Sequence, residues 1–316
     1  MKVGTMTFGR IYKRLLTDIN TSESSVSPRG LKVKEILNYH IDIDDVTKEQ
    51  IIINDVRSTP VKYLKKELCL YLVGNLNIND FAKASKFWSS LDDGTHLVNS
   101  NYGQLCLWRT YPNKMVNSAE GGMTQLDWVL NPLLNDPDSR QAVMYLGNPY
   151  FQYKGNKDFV CTFTYQFFIR NNKLHMICNR RSNDVVTGIT FDIPWEIVLM
   201  QSVCKAYNMM SPNKIELGSY HCNIGSMHAY EKDWQTIKDM LNTNWTYEDI
   251  PNIMDATELC PINKIYRQDF HKVFMFLTDV VMTNDMYNNL HADFRKSKFV
   301  DWMLQSKIEE KQYVRL

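Results

Sequence analysis

Residues 158–200 read DFVCTFTYQFFIRNNKLHMICNRRSNDVVTGITFDIPWEIVLM, and this stretch decides the fold. FVCTFTYQFFIR (159–170) and KLHMICNRR (173–181) are rich in β-branched and aromatic residues, which predicts two strands. Asn171-Asn172 supplies the turn between them. The resulting hairpin brings Arg180 and Arg181 back beside Cys161. PWEIVLMQSVCKAYNMM (194–210) has apolar residues at helical spacing behind a Pro, so a helix is expected from Pro194. Asp192 is then either the N-cap of that helix or a buried carboxyl aimed at a ligand.

Outward from this centre, IELGSYHCNIG (215–225), AVMYL (142–146), KVKEILNYHIDIDD (32–45) and QIIINDV (50–56) read as further strands. Helices are expected over 1–19, from Pro60 to a stop at Gly74, over 78–90 and over 121–134. TSESSVSPRG (21–30), residues 91–104 and NDPDSR (135–140) read as breaks. Residues 231–316 look mainly helical and more charged. The fold class is therefore α+β: one large mixed sheet with flanking helices and a helical C-terminal extension. The division expected is a catalytic part over 1–235 and a helical region over 236–316 packed on the same domain.

Composition excludes several classes of function. A formal net charge of +1 and the lack of a basic stripe argue against direct nucleic-acid binding. No run of 18 apolar residues is present, and MKVGTMTFGRIYKRLL lacks the apolar centre of a signal peptide. Seven cysteines at irregular spacing, with no CxxC pair, fit neither a disulfide framework nor a metal site. They point to a reducing cytoplasm. Alone, Cys161 reads as a small apolar strand residue, and Glu67 as a solvated helix carboxylate beside Lys65 and Lys66. The arginines read as strand-end charges or as a phosphate grip that would also favour a thiolate.

Several strings in register resemble the thymidylate synthase family. They are CTFTYQF (161–167), RRSNDVVTG (180–188), FD (191–192), GSMHAY (225–230), NDPDSR (135–140), KKELCLYLVGNLN (65–77) and NSNYG (99–103). The resemblance covers roughly residues 29–235. It departs from the synthases at Asp192, where they carry Asn, and at Thr162, where they usually carry His. Those two departures resemble the phage deoxycytidylate hydroxymethylase branch. Gln141 and Leu91 stand where the family has a second Arg and a second Trp, and EKQYVRL replaces its apolar tail.

What the resemblance implies is a one-carbon transferase using 5,10-methylenetetrahydrofolate on dCMP. Cys161 would be the nucleophile at C6, with Glu67, Tyr102 and Asp192 completing the catalytic group. Arg29, Arg140, Arg180, Arg181, Ser182 and Asn183 would hold the nucleotide, with His228 and Tyr230 on the sugar. Trp88, Asp184 and Gly188 would meet the folate. Arg140 would reach the partner's site in a homodimer. Cytosine offers an amino donor and an N3 acceptor, so a carboxyl at 192 suits it by accepting from the one and sharing a proton with the other. A dCMP or dUMP methylase, a CMP hydroxymethylase and a catalytically dead nucleotide binder remain alternatives. The setting implied is a host cytoplasm in which a phage replaces cytosine in its DNA.

Overall fold

A computed structural model describes residues 5–111, 122–253, 275, 277, 278 and 297–305 of the 316-residue chain. The first helix, α1 (Phe8–Thr21), buries Phe8, Ile11, Tyr12, Leu15, Leu16 and Ile19 along one stripe. β1 (Ser25–Val26) and β2 (Val33–Ile43) follow, so the expected break at 21–30 holds a two-residue edge strand. β3 (Ile51–Asn54) leads to α2 (Val61–Val73), which starts one residue after Pro60. α2 stops as expected at Gly74, where φ is 68°. The N–H groups of Gly74 and Asn75 donate to the carbonyls of Tyr71 and Leu70 at 3.0 and 3.1 Å, a Schellman closure that needs a left-handed residue.

α3 (Ile78–Ala84) and α4 (Phe87–Ser90) divide the helix expected over 78–90. Two short paired strands, β4 (Thr110–Tyr111) and β5 (Met123–Thr124), precede α5 (Gln125–Asn135). A capping box between Thr124 and Asp127 starts α5. β6 (Val143–Tyr145), β7 (Thr162–Arg170) and β8 (Lys173–Asp184) come next. They are followed by α6 (Ile189–Met210) and β9 (Glu216–Tyr230). α7 (Trp234–Leu241), β10 (Trp245–Glu248) and α8 (Lys298–Leu304) complete the described chain.

The main sheet runs β1-β2-β9-β8-β7-β6. β7 and β8 form the predicted antiparallel hairpin, and Asn171 and Asn172 at its tip take φ of 52° and 57°. Both residues tolerate the left-handed conformation that a tight hairpin turn demands. β8 and β9 are parallel, so a crossover must join them, and α6 is that crossover. α6 is buried continuously from Ile193 to Tyr207, which makes it the central core helix. It starts at Ile189, five residues before the expected start at Pro194, so Asp192 lies in its first turn and is not its N-cap. Pro194 lies beyond the first turn, so it removes the N–H that would have met the Thr190 carbonyl, and its ring crowds that carbonyl.

The region after 235 is not wholly helical. β10 pairs antiparallel with β3, from Trp245 opposite Asn54 to Glu248 opposite Ile51. WTYE is aromatic and β-branched, and a free strand edge lies beside it. Ile250 N–H donates to Gln50 at 2.8 Å, and Lys65 donates to the Gln305 carbonyl at 2.7 Å. These contacts tie the described C-terminal pieces to the N-terminal half. The helices expected elsewhere in 236–316, and Cys260, lie outside the described residues.

Candidate active site

Cys161 occupies a bend one residue before β7, not the strand itself. Its N–H and that of Thr162 both donate to the Tyr102 hydroxyl, at 3.2 and 3.3 Å. The hairpin register brings the next partner: Arg181 N–H donates to the Cys161 carbonyl at 2.9 Å. The Arg181 guanidinium then reaches Cys161 Sγ at 3.3 Å. It is held there by the carbonyls of Phe159 and Val160 at 2.9 and 3.1 Å, and it also donates to Ser182 Oγ at 3.0 Å. Burial raises the thiol's pKa above its ordinary value, while Arg181 and then Arg180 pull it back in part. The arginines thus favour the thiolate, as expected, but desolvation outweighs them.

Arg180 needs correction. It was expected to grip phosphate, but its side chain is only 1% exposed. It lies on β8 opposite Thr162 and bridges two carboxyl groups of α6, Asp192 at 2.5 Å and Glu196. Strand alternation explains this, since neighbouring arginines on a strand point to opposite faces. Arg181 stays on the thiol side and Arg180 goes into the core. Asn183 Nδ2 adds a second donor to Asp192 Oδ2 at 3.0 Å. Two donors on one oxygen suit a carboxylate there rather than an acid proton. Asp192 keeps 22% of its side chain open, and its Oδ1 meets no hydrogen-bonding partner among the described residues.

Glu67 projects from α2 and is 7% exposed. It accepts from Tyr63 at 2.9 Å and Tyr71 at 3.4 Å. Burial, reinforced by the charge of Asp192, raises its pKa to about 8 despite these hydrogen bonds. The carboxyl therefore keeps a proton at neutral pH, unlike the solvated residue that sequence alone suggested. Tyr63 accepts from Trp88 Nε1 at 3.0 Å and meets Phe191 edge-on at 4.7 Å. Tyr71 meets Tyr102 edge-on at 5.9 Å. A continuous polar and aromatic path thus joins Trp88, Tyr63, Glu67, Tyr71, Tyr102 and Cys161.

Asp184 is engaged by its own turn: its carboxylate accepts from the N–H groups of Val186 and Thr187 and from the Thr187 hydroxyl, at 2.7, 3.2 and 2.6 Å. Gly188 lies where a Cβ would come within 2.5 Å of Asn183 Oδ1, so it permits the Asn183–Asp192 contact. His228 pairs with Asp184 across the parallel β8–β9 register and meets Tyr230 edge-on at 5.3 Å. Arg29 sits in an exposed turn at φ 55°, and Arg140 is exposed near the β6 edge. The structure brings neither of them to Cys161. Four residues of the assembly were not singled out from sequence: Tyr63, Tyr71, Phe191 and Glu196. Tyr63, Glu67 and Tyr71 recur every four residues on α2, as Asp192 and Glu196 do on α6, and that spacing was the available signal.

Among the described residues, no cluster of three or more His, Cys, Asp or Glu could hold a metal ion, and no helix is long and apolar enough to cross a membrane. A profile of the family described as thymidylate synthase matches residues 10–273. The deoxycytidylate 5-hydroxymethyltransferase of Enterobacteria phage T2 is 28% identical over 249 residues, covering 77% of this chain and 94% of that protein. The deoxyuridylate hydroxymethyltransferase of Bacillus phage SP01 is 25% identical, covering 85% of this chain and 70% of its own length. The thermostable thymidylate synthase A from Bacillus subtilis shares the fold with a TM-score of 0.62 at 22% identity, over 77% of this chain and 87% of the other.

Proposed function

The chain belongs to the thymidylate synthase family, and from that premise we propose that it is a deoxycytidylate 5-hydroxymethylase. The observation that carries this reading is the Asp192 carboxylate, with one oxygen pinned and one open, in the same site as the Cys161 thiol. An open carboxylate oxygen accepts the 4-amino group of cytosine. It repels the carbonyl that uracil presents at the same place.

Cys161 Sγ loses its proton and bonds to C6 of the base, and the C5–C6 π pair moves onto C5. Arg181 offsets the negative charge on sulfur before the bond forms. When bound, 5,10-methylenetetrahydrofolate supplies the electrophilic methylene that C5 takes up. Trp88, Tyr63 and Phe191 form an aromatic cluster on which a pteridine ring would pack, with Gly188 nearby in the turn that Asp184 organises. Asp184 would act on that ring through the turn it organises. Protonated Glu67, whose Oε1 accepts from the Tyr63 and Tyr71 hydroxyls, can donate toward position 4 of the base through a bridging water. Loss of the C5 proton breaks the bond between the transferred carbon and the folate nitrogen, so that tetrahydrofolate would leave and an exocyclic methylene would remain on the base; water then adds to that carbon, and departure of Cys161 Sγ restores the C5–C6 double bond. Arg181 and Ser182 would take the phosphate, and His228 and Tyr230 the sugar hydroxyl. Arg29 would join them, with Arg140 supplied across a homodimer in the cytoplasm.

The test is incubation with 5,10-methylenetetrahydrofolate and each of dCMP, dUMP and CMP, with products identified by mass. The reading requires 5-hydroxymethyl-dCMP without net dihydrofolate. Stoichiometric dihydrofolate would convert it to a methylase, and a hydroxymethylated dUMP or CMP product would move the substrate.

A further inference from the structure

We propose that Arg180 is a positioning and specificity-determining residue that holds the Asp192 carboxylate as an oriented anion and so sets the preference for an amino-bearing pyrimidine. This rests on the reading of Asp192 as the base-recognising group. Arg180 is anchored at three points: Asp192 Oδ2 at 2.5 Å, Glu196, and Cys178 Sγ at 3.4 Å. Glu196 is fully buried and is itself held by the Tyr220 hydroxyl. The guanidinium therefore cannot swing toward the cleft, where it would meet the nucleotide.

Burying a guanidinium beside the carboxyl group of Glu196 is costly, and a neutral side chain of similar size would fill this space at lower cost. What a neutral side chain could not do is bridge Asp192 and a second carboxyl group four residues along the same helix. Arg180 and Asn183 both take Oδ2, which fixes the torsion of the carboxylate and leaves Oδ1 as the acceptor presented to the cleft. A cytosine edge places an amino hydrogen against that oxygen. A uracil edge places lone pairs against it, and the carboxylate, held through Oδ2, cannot rotate away to compensate. Discrimination then comes from the residue behind the reader as well as from the reader itself.

The test compares the wild-type enzyme, Arg180→Lys, and the double variant Arg180→Gln/Glu196→Gln, which removes the fully buried carboxyl group together with its cation and leaves only the partly open Asp192 without its guanidinium. Each is assayed with dCMP and dUMP between about pH 6 and 9, and thermal unfolding confirms folding. The wild type should favour dCMP with a kcat/KM ratio that is flat across this range. The double variant should lose about 10–100-fold of that ratio, mostly through dCMP. Lysine cannot span both carboxyl groups, so Arg180→Lys should lose a smaller factor, about 3–10-fold. An unchanged ratio in a folded double variant, or equal losses on both nucleotides, overturns the proposal and leaves Arg180 as a structural partner of Glu196. If the double variant does not fold, an unchanged ratio in Arg180→Lys overturns it equally. A wild-type enzyme without preference for dCMP refutes the reading of Asp192 itself, whatever the variants do.

Discussion

Tyr102 holds the backbone at Cys161: its single hydroxyl accepts both the Cys161 and the Thr162 N–H, at 3.2 and 3.3 Å. Strand pairing in β7 starts only at Thr162, so this phenol does the work of a ladder partner at the bend that presents the thiol. Tyr102→Phe removes the acceptor and keeps the ring. Two backbone donors are left unpaired, at a cost of about 1–3 kcal/mol each where they are buried. The expected result is a modest drop in thermal stability with a loss of about 10–100-fold in kcat. A variant with wild-type kcat would show that the bend holds itself.

Glu67 gives a pH signature. Its pKa of about 8 in the folded chain lies above the ordinary value of 4.5, so the native state binds the extra proton between those limits. Stability from this group is complete below the lower limit and is lost as pH rises through about 8. Glu67→Gln should remove that slope from urea unfolding measured between about pH 5 and 9. Activity that needs the acid form should fall in the wild type as pH passes about 8, whereas the Gln variant should be slower and flat there.

Arg181 should control the reactivity of the thiol. It lowers a Cys161 pKa that burial has raised, so its removal leaves less thiolate at any given pH. Arg181→Ala should slow alkylation of Cys161 by iodoacetamide, followed by peptide mass at neutral pH, by about 3–10-fold. Faster alkylation would mean that the guanidinium shields the sulfur more than it activates it.

Gly188→Ala probes the support behind Asp192. Its φ is −106°, so the backbone itself accepts alanine. The added Cβ would press on Asn183 Oδ1 at 2.5 Å and on the Asp184 carbonyl at 3.0 Å. A destabilisation of about 1–3 kcal/mol is expected. Nucleotide binding, measured by calorimetry in a Cys161→Ser background, should weaken as Asn183 is displaced from Asp192. Unaltered binding would separate Asn183 from base recognition.

Local pattern was enough to read the β7–β8 hairpin, the stop at Gly74 and the nearness of Cys161 to Arg181. Each depends on short-range geometry: strand alternation, a two-residue turn, a left-handed helix end. The start of α6 lies five residues before Pro194, because proline marks a helix's first residue only by preference and the buried face of this helix holds it in the interior. β10 was missed because its partner, β3, lies almost 200 residues earlier, and an edge strand takes its character from what it pairs with.

The sequence by itself determined which chemical groups are present and in what order: a cysteine, a glutamate on a helix face, paired arginines and an aspartate where the family's synthases have asparagine. Only the tertiary structure decided what those groups are. Enclosure by the helix–sheet core keeps Glu67 protonated and Cys161 a thiol, and it separates two adjacent arginines into a partner for sulfur and a partner for Asp192. Charge and proton affinity depend on the dielectric and the partners around a group, and residues distant in the chain supply both.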